Sequence, residues 1–183
     1  VALSEEGSSF FMPVGEMRNL VQRGMVMGMT AYTQSVVSTL AGSRVFVKIL
    51  LEQSLSPEAQ VAFACGMANM LQMSRTAGDN VIAGPQTICV FKPFIAVVLP
   101  YYKHGSVRDM LELGTGTSEM MRSIVVGTAQ HLAQLHAARL VHGAIKPSNV
   151  MLCDSSARRV ILTDAGTTDI KTGIATMTMS PNV

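Results

Sequence analysis

Several side chains in this sequence are equipped for chemistry, and their spacing decides which chemistry to consider. Cys65, Cys89 and Cys153 are scattered and odd in number. They lack the Cys-x-x-Cys or Cys/His spacing of a zinc site or a disulfide framework, and they fit a reducing compartment. His131 and His136 stand five apart on a helical stretch. That is off the i, i+4 spacing by which two imidazoles share a metal, so both read as ordinary helix residues. What remains is a set of polar groups embedded in apolar sequence. They are Lys48 in Val45-Phe46-Val47-Lys48, the run His142-Gly143-Ala144-Ile145-Lys146-Pro147-Ser148-Asn149, and Thr163-Asp164-Ala165-Gly166.

The elements that must position these groups follow from periodicity. Residues 1–13 read as a lead-in. Between Leu20 and Leu51, short β-branched runs broken by Ala41-Gly42-Ser43 predict a hairpin followed by a buried strand. Ser56-Pro57-Glu58 reads as a helix start with serine as N-cap and proline in the first turn. The stretch from Ala59 to Met73 carries Val61, Cys65, Ala68 and Leu71 on one stripe and Phe63, Met67 and Met70 on another. Two stripes predict burial on more than one side. Gly78-Asp79-Asn80 ends that helix, and strands follow at Thr87–Phe91 and Phe94–Leu99 before a turn at Lys103–Ser106. Ser118-Glu119 opens a long helix, and two short strands, Val150–Leu152 and Val160–Leu162, flank an Asp-Ser-Ser turn. Antiparallel strands with one helix, then a mainly helical part, make an α+β arrangement in two lobes, 14–100 and 101–183.

Composition narrows the partners. Apolar residues make up 48 % and charged residues 14 % of the 183, against about a quarter charged in an ordinary soluble domain. Either the composition is simply rich in Ala, Val and Met, or part of this surface is covered by something else. The net charge of +2, without a basic block, makes nucleic acid an unattractive partner. The longest apolar stretch, Phe94–Leu99, is too short to span a bilayer. A cytoplasmic location is expected, with secretion left open. A chain that begins at Val1 reads as a piece of something longer. Of the 14 methionines, Met67, Met70 and Met73 cluster and read as adaptable core.

In order, these segments resemble the eukaryotic protein kinase domain from its glycine-rich loop to the end of its activation segment. Val45-Phe46-Val47-Lys48 resembles the Val-Ala-Ile-Lys strand, and Leu99-Pro100-Tyr101-Tyr102 resembles the hinge before the next helix. Leu140–Asn149 resembles the His-Arg-Asp-Leu-Lys-Pro-x-Asn catalytic loop, Thr163-Asp164-Ala165-Gly166 the Asp-Phe-Gly motif, and Met179-Ser180-Pro181-Asn182 the Ala-Pro-Glu ending. Lys-Pro-Ser-Asn favours the serine/threonine branch. The resemblance implies roles: Lys48, Lys146, Asn149 and Asp164 as remnants of a nucleotide site, Phe46, Leu99, Tyr101 and Met151 as its lining, and Asn149 with Asp164 as Mg²⁺ candidates.

The same resemblance implies loss. The catalytic base position holds Ala144, which accepts no proton, and the preceding arginine is Gly143. No Asp or Glu lies between Ala59 and Ala77, and Glu58 falls too early, so Lys48 is expected to lack its usual helix carboxylate. Aligning Gly28-Met29-Thr30-Ala31-Tyr32-Thr33 with Gly-x-Gly-x-x-Gly keeps one glycine of three. Phe46 replaces a small residue facing the adenine, and Ala165 replaces a phenylalanine that stacks the lobes. His142 is expected to be a strut. Thr167, Thr168 and Thr172 stand where kinases are phosphorylated, but Gly143 removes the arginine that receives the phosphate. The resemblance therefore implies a pseudokinase that binds another protein, such as an active kinase, with ATP and Mg²⁺ bound weakly or not at all. The rival readings are an active or mutationally inactivated serine/threonine kinase, and a small-molecule kinase of the aminoglycoside or choline type, whose loop is His-Gly-Asp. A rhoptry-type kinase shares the His-Gly wording.

Overall fold

The computed structural model describes residues 10–29, 33–51, 57–91 and 94–164. Residues 165–183, which hold Ala165, Thr167, Thr168, Thr172 and the Ser180-Pro181 ending, lie outside the described residues, as do Ser56 and Thr30. The chain divides into two compact units, Val1–Gln60 with Pro85–Tyr101, and Val61–Gly84 with Tyr102–Val183.

The first unit is a five-stranded antiparallel sheet built from β1 (Met25–Met29), β2 (Thr33–Leu40), β3 (Ser43–Leu51), β4 (Thr87–Phe91) and β5 (Phe94–Pro100), in the order β1-β2-β3-β5-β4. Strand β3 alternates as a half-buried strand must. Val45, Val47 and Ile49 join Val36, Cys89, Ala96 and Val98 in one core, while Phe46, Lys48 and Leu50 fall on the opposite face. That core is covered by a helix not expected from the sequence, α1 (Val14–Gln22), which contributes the buried Met17 and Leu20. Ser38 donates its hydroxyl to the Leu20 carbonyl at 2.6 Å, satisfying one of the acceptors that α1 leaves open at its C-terminus. Gly24 follows, where an added Cβ would lie 2.2 Å from Val36 Cγ1, so only glycine lets the chain turn this close to the sheet.

The β2–β3 hairpin turns on Ala41 and Gly42, both at positive φ (48° and 82°). Two left-handed residues in succession make the turn whose twist matches its strands. Glycine is at ease there; alanine is not.

The second unit holds most of α2 (Pro57–Ala77), with α3 (Val107–Glu112), α4 (Ser118–Ala137) and the hairpin β6 (Val150–Leu152) and β7 (Val160–Leu162). Along the described side chains of α2, Met67, Met70, Met73 and Ser74 are buried and Ala68 is exposed. Of the two expected stripes, Ala68 is exposed and Leu71 half-buried while Met67 and Met70 are buried, and the side chains of Val61, Phe63 and Cys65 lie outside the described residues. The methionine cluster is core. Met73 packs with Val81, Ile82, Val107, Met110, Ile124, Leu135, Val150 and Leu162, so residues 61–84 group with the second unit instead of with the sheet.

Around this core the backbone is accounted for locally. Leu162 donates to the Val81 carbonyl (3.0 Å) and accepts from the Ala83 N–H (2.8 Å), which adds the 81–83 segment beside β7. Ser106 and Asp109 form a reciprocal capping box on α3. Thr117 caps α4 by accepting from Met120 N–H. The penultimate residue of α4, His136, is exposed, while His131 bonds the Val160 carbonyl at 2.9 Å and ties α4 to β7.

Candidate functional site

The expected site residues fall into two groups, one in each unit. In the second unit, the chain leaves α4 by a Schellman turn in which Leu140 donates to the Leu135 carbonyl (2.8 Å) and Arg139 to that of His136 (2.9 Å). Arg139 takes the left-handed position at φ 59°. The chain then enters the run from His142 to Asn149, in which the backbone of Ala144 is held at both ends. Its N–H donates to His142 Nδ1 at 3.2 Å, and its carbonyl accepts from Asn149 Nδ2 at 2.8 Å. Both clamping side chains are buried, His142 at 1 % and Asn149 at 2 % exposure.

Because Nδ1 accepts, the neutral ring carries its proton on Nε2. Among the described residues no hydrogen-bond partner of normal geometry meets Nε2. Burial pushes His142 below its ordinary value of 6.5, while the nearby Thr163 carbonyl and the charge of Asp164 pull the other way without prevailing. His142 is a strut for the loop, as expected.

Gly143 sits at φ +72°, and among the described residues nothing lies within 4 Å of where a Cβ would project. The missing arginine is thus a matter of backbone conformation and charge, with no lack of room. A single 3-10 turn, Pro147–Asn149, closes the loop, with Asn149 N–H on the Lys146 carbonyl at 2.9 Å. Thr163 N–H then bonds the Asn149 carbonyl at 3.0 Å, which brings Asp164 to the same end of β7. Asp164 itself is left-handed, at φ 60°, a conformation aspartate tolerates better than most residues.

So the second unit brings Ala144, Asn149 and Asp164 together, with Ser148 Oγ 3.4 Å from Asn149 Oδ1. Lys146 is exposed, and Met151 is half-buried on β6, bridged to Ser106. Tyr102, next to the expected Tyr101, has its hydroxyl pushed up to about 12 by burial, with Cys153 and Asp79 adding in the same direction.

In the first unit, register sets the neighbours. Phe46 lies between Val37 on β2 and Leu99 on β5, and Met25 on β1 continues that row beyond Val37. Lys48 lies between Ser35 and Val97, two residues along and in the next row on the same face. Phe46 and Lys48 are half-buried and Leu99 is buried. Lys48 and Asp164 each make further interactions, so neither is idle. Glu58 stands in the first turn of α2, and its side chain lies outside the described residues. Tyr101 stacks under the Arg44 guanidinium at 5.8 Å. Gly28 lies in β1 opposite Ser35, and Thr33 opens β2.

Three features of the site escape sequence reasoning. They are the clamp of Asn149 on Ala144, the left-handed Gly143 and the covering helix α1. The first two have a faint signal in the His-Gly and Pro-Ser-Asn wording; α1 has Met17, Leu20 and Val21 at helical spacing.

This geometry agrees with what known proteins show. The family model for protein tyrosine and serine/threonine kinases matches residues 20–180, and the chain belongs to that family. Among curated relatives, a serine/threonine-protein kinase/receptor of Acanthamoeba polyphaga mimivirus is 26 % identical over 85 % of this chain and 9 % of its own length. The serine/threonine-protein kinase shk2 of Schizosaccharomyces pombe is 28 % identical over 51 % of this chain and 16 % of its own. The bovine interleukin-1 receptor-associated kinase-like 2 is 33 % identical over 35 % of this chain and 11 % of its own. The chain spans less than a fifth of the length of any of these three. The α+β architecture with a five-stranded antiparallel sheet is that of a kinase-like domain. Among the described residues no helix is long and apolar enough to cross a membrane, and no group of three or more His, Cys, Asp or Glu is placed to hold a metal.

Proposed function

We propose that this chain is a kinase-like domain that no longer transfers phosphate and acts by binding another protein. One observation carries the reading. The position of the family's catalytic aspartate is Ala144, held by both its N–H and its carbonyl in an ordered loop, with a methyl group where a proton acceptor is required. Losing a positioned base removes roughly 10²–10⁴-fold in rate on its own. Phe46 and the thinned glycine loop act on nucleotide affinity in addition.

Proteins of this family use ATP with Mg²⁺. Here Asn149 Oδ1 and the Asp164 carboxylate are the groups that would meet the metal, which suits Mg²⁺ only when nucleotide phosphates supply further oxygens. The Asn149 amide nitrogen is committed to Ala144. Bound nucleotide, if any, would serve as a structural ligand. Exposed Leu113, Val125, Val126 and Val141 in the second unit support a protein partner. A cytoplasmic location and an active kinase as that partner belong to the same proposal.

The test combines thermal shift with ATP and Mg²⁺ and radiolabelled phosphate transfer by the full chain. Expected is no phosphate incorporation, with or without a melting shift. Incorporation that Lys48→Met abolishes would overturn the reading in favour of an active kinase.

A further inference from the structure

The chain holds 14 methionines and three cysteines, and the structure sorts these sulfurs by access. Met17, Met67, Met70, Met73 and Met110 are at most 7 % exposed, and Met12, Met120, Met121 and Met151 are half-buried. Met25, Met27 and Met29 differ from all of these. They lie together in β1 and stand 64, 53 and 71 % exposed. Met177 and Met179 lie outside the described residues. Strand β1 ends the sheet order, and its register slip between Val26 and Gly28 separates the outer two methionines. Met25 continues the row of Val37 and Phe46, while Met29 continues that of Gln34 and Ile49. Phe46 and Ile49 fall on opposite faces of β3, so shielding both thioethers would take cover on both sides of β1.

The thiols compete poorly for an oxidant. Cys89 is buried and Cys153 half-buried, and burial pushes both thiols up, away from the thiolate that reacts. The side chain of Cys65 lies outside the described residues. A thioether needs no ionisation, so contact with the oxidant is what limits it. We propose that Met25, Met27 and Met29 are the site at which peroxide modifies the described part of this protein. A lone pair on the thioether sulfur attacks one peroxide oxygen, the O–O bond breaks, and the second oxygen leaves as water. Each event oxidises one sulfur to a sulfoxide and reduces one peroxide; methionine sulfoxide reductases reverse it with two electrons from a pair of thiols. The product is polar, so β1 exchanges an apolar surface for a polar one. None of the three side chains fills a core, and the fold survives the change.

Limited hydrogen peroxide treatment of the full chain, followed by peptide mass mapping over time, tests this. N-acetylmethionine amide in the same solution serves as the fully exposed reference. Met25, Met27 and Met29 should lose their thioether mass at close to the reference rate, with the four half-buried methionines lagging and the five buried ones unmodified. At that stage the melting temperature is unchanged, Cys89 and Cys153 still alkylate after denaturation, and methionine sulfoxide reductase restores the starting mass. Three outcomes overturn the proposal. One is oxidation of β1 that is no faster than that of Met12 or Met151. Another is loss of either thiol, or of a buried thioether, as early as the strand's own. The last is a melting temperature that falls in step with the first sulfoxides on β1.

Discussion

In the run that ends at Asn149, the backbone of Ala144 is held at both its N–H and its carbonyl, and on the proposed reading a methyl stands where the family's base would be. On β3 the opposite has happened. Lys48 holds its place between Ser35 and Val97, beside a Phe46 that on the same reading crowds the strand face. On that reading one region keeps its shape without its chemistry, and the other keeps a chemical group in changed surroundings. The comparison teaches that shape and chemistry are separable here because different atoms carry them. The loop is fixed by the backbone atoms of Ala144, which any residue supplies. The strand face is fixed by side chains, which change one at a time.

The largest effect should come from breaking the loop. Asn149→Ala strands the half-buried Ala144 carbonyl and removes a buried amide, and we expect a loss of roughly 1–3 kcal/mol in chemical denaturation. Next, Gly143→Arg should cost about 1–2 kcal/mol because a side chain at φ +72° is strained even where there is room for it. Kinase assays on that variant and on Ala144→Asp should both remain blank, since neither changes the strand face.

On β3, Phe46→Ala should separate the two regions. A melting shift with Mg²⁺–ATP should appear or grow while transfer stays at zero. No nucleotide response in that variant would mean that Phe46 is not the obstacle.

A smaller effect of opposite sign is expected at Ala41. Ala41→Gly relieves the first left-handed residue of the β2–β3 turn and should stabilise by about 0.5–1 kcal/mol, read as a rise in melting temperature. The smallest effect is one of pH. His142 is held neutral below its ordinary value, so its contribution is fully present above about pH 6.5 and is lost as pH falls toward the lowered value. Stability measured from pH 7.5 to 5 should therefore fall more steeply in the parent than in His142→Gln.

Much of the fold was legible because its signals are local. Ala41-Gly42, the Gly78-Asp79-Asn80 stop and the β-branched runs each fix a turn, a helix end or a strand from a few neighbouring residues. The kinase resemblance was legible for a different reason, as motif order over most of the chain. What escaped depends on contacts distant in sequence. α1 is ordered by packing on Val45, Val47 and Val98, and no window of nine residues shows what it will pack against. The exposed Ala68 was misassigned because alanine fits either environment. The clamp of Asn149 on Ala144 was invisible because the atom it reaches is a backbone carbonyl, identical in every residue.

Helix α1 has a consequence for recognition. A sheet has two faces, and on this one Met17 and Leu20 already cover the Val45–Val47–Ile49 face as a tethered ligand would. Any protein that sought that face would compete with a segment present at very high local concentration. Its apparent affinity would fall in proportion to the fraction of molecules in which α1 has let go. Partners are thereby filtered before any contact forms, and the loss of a few apolar atoms from α1 would widen the set of proteins this domain can meet.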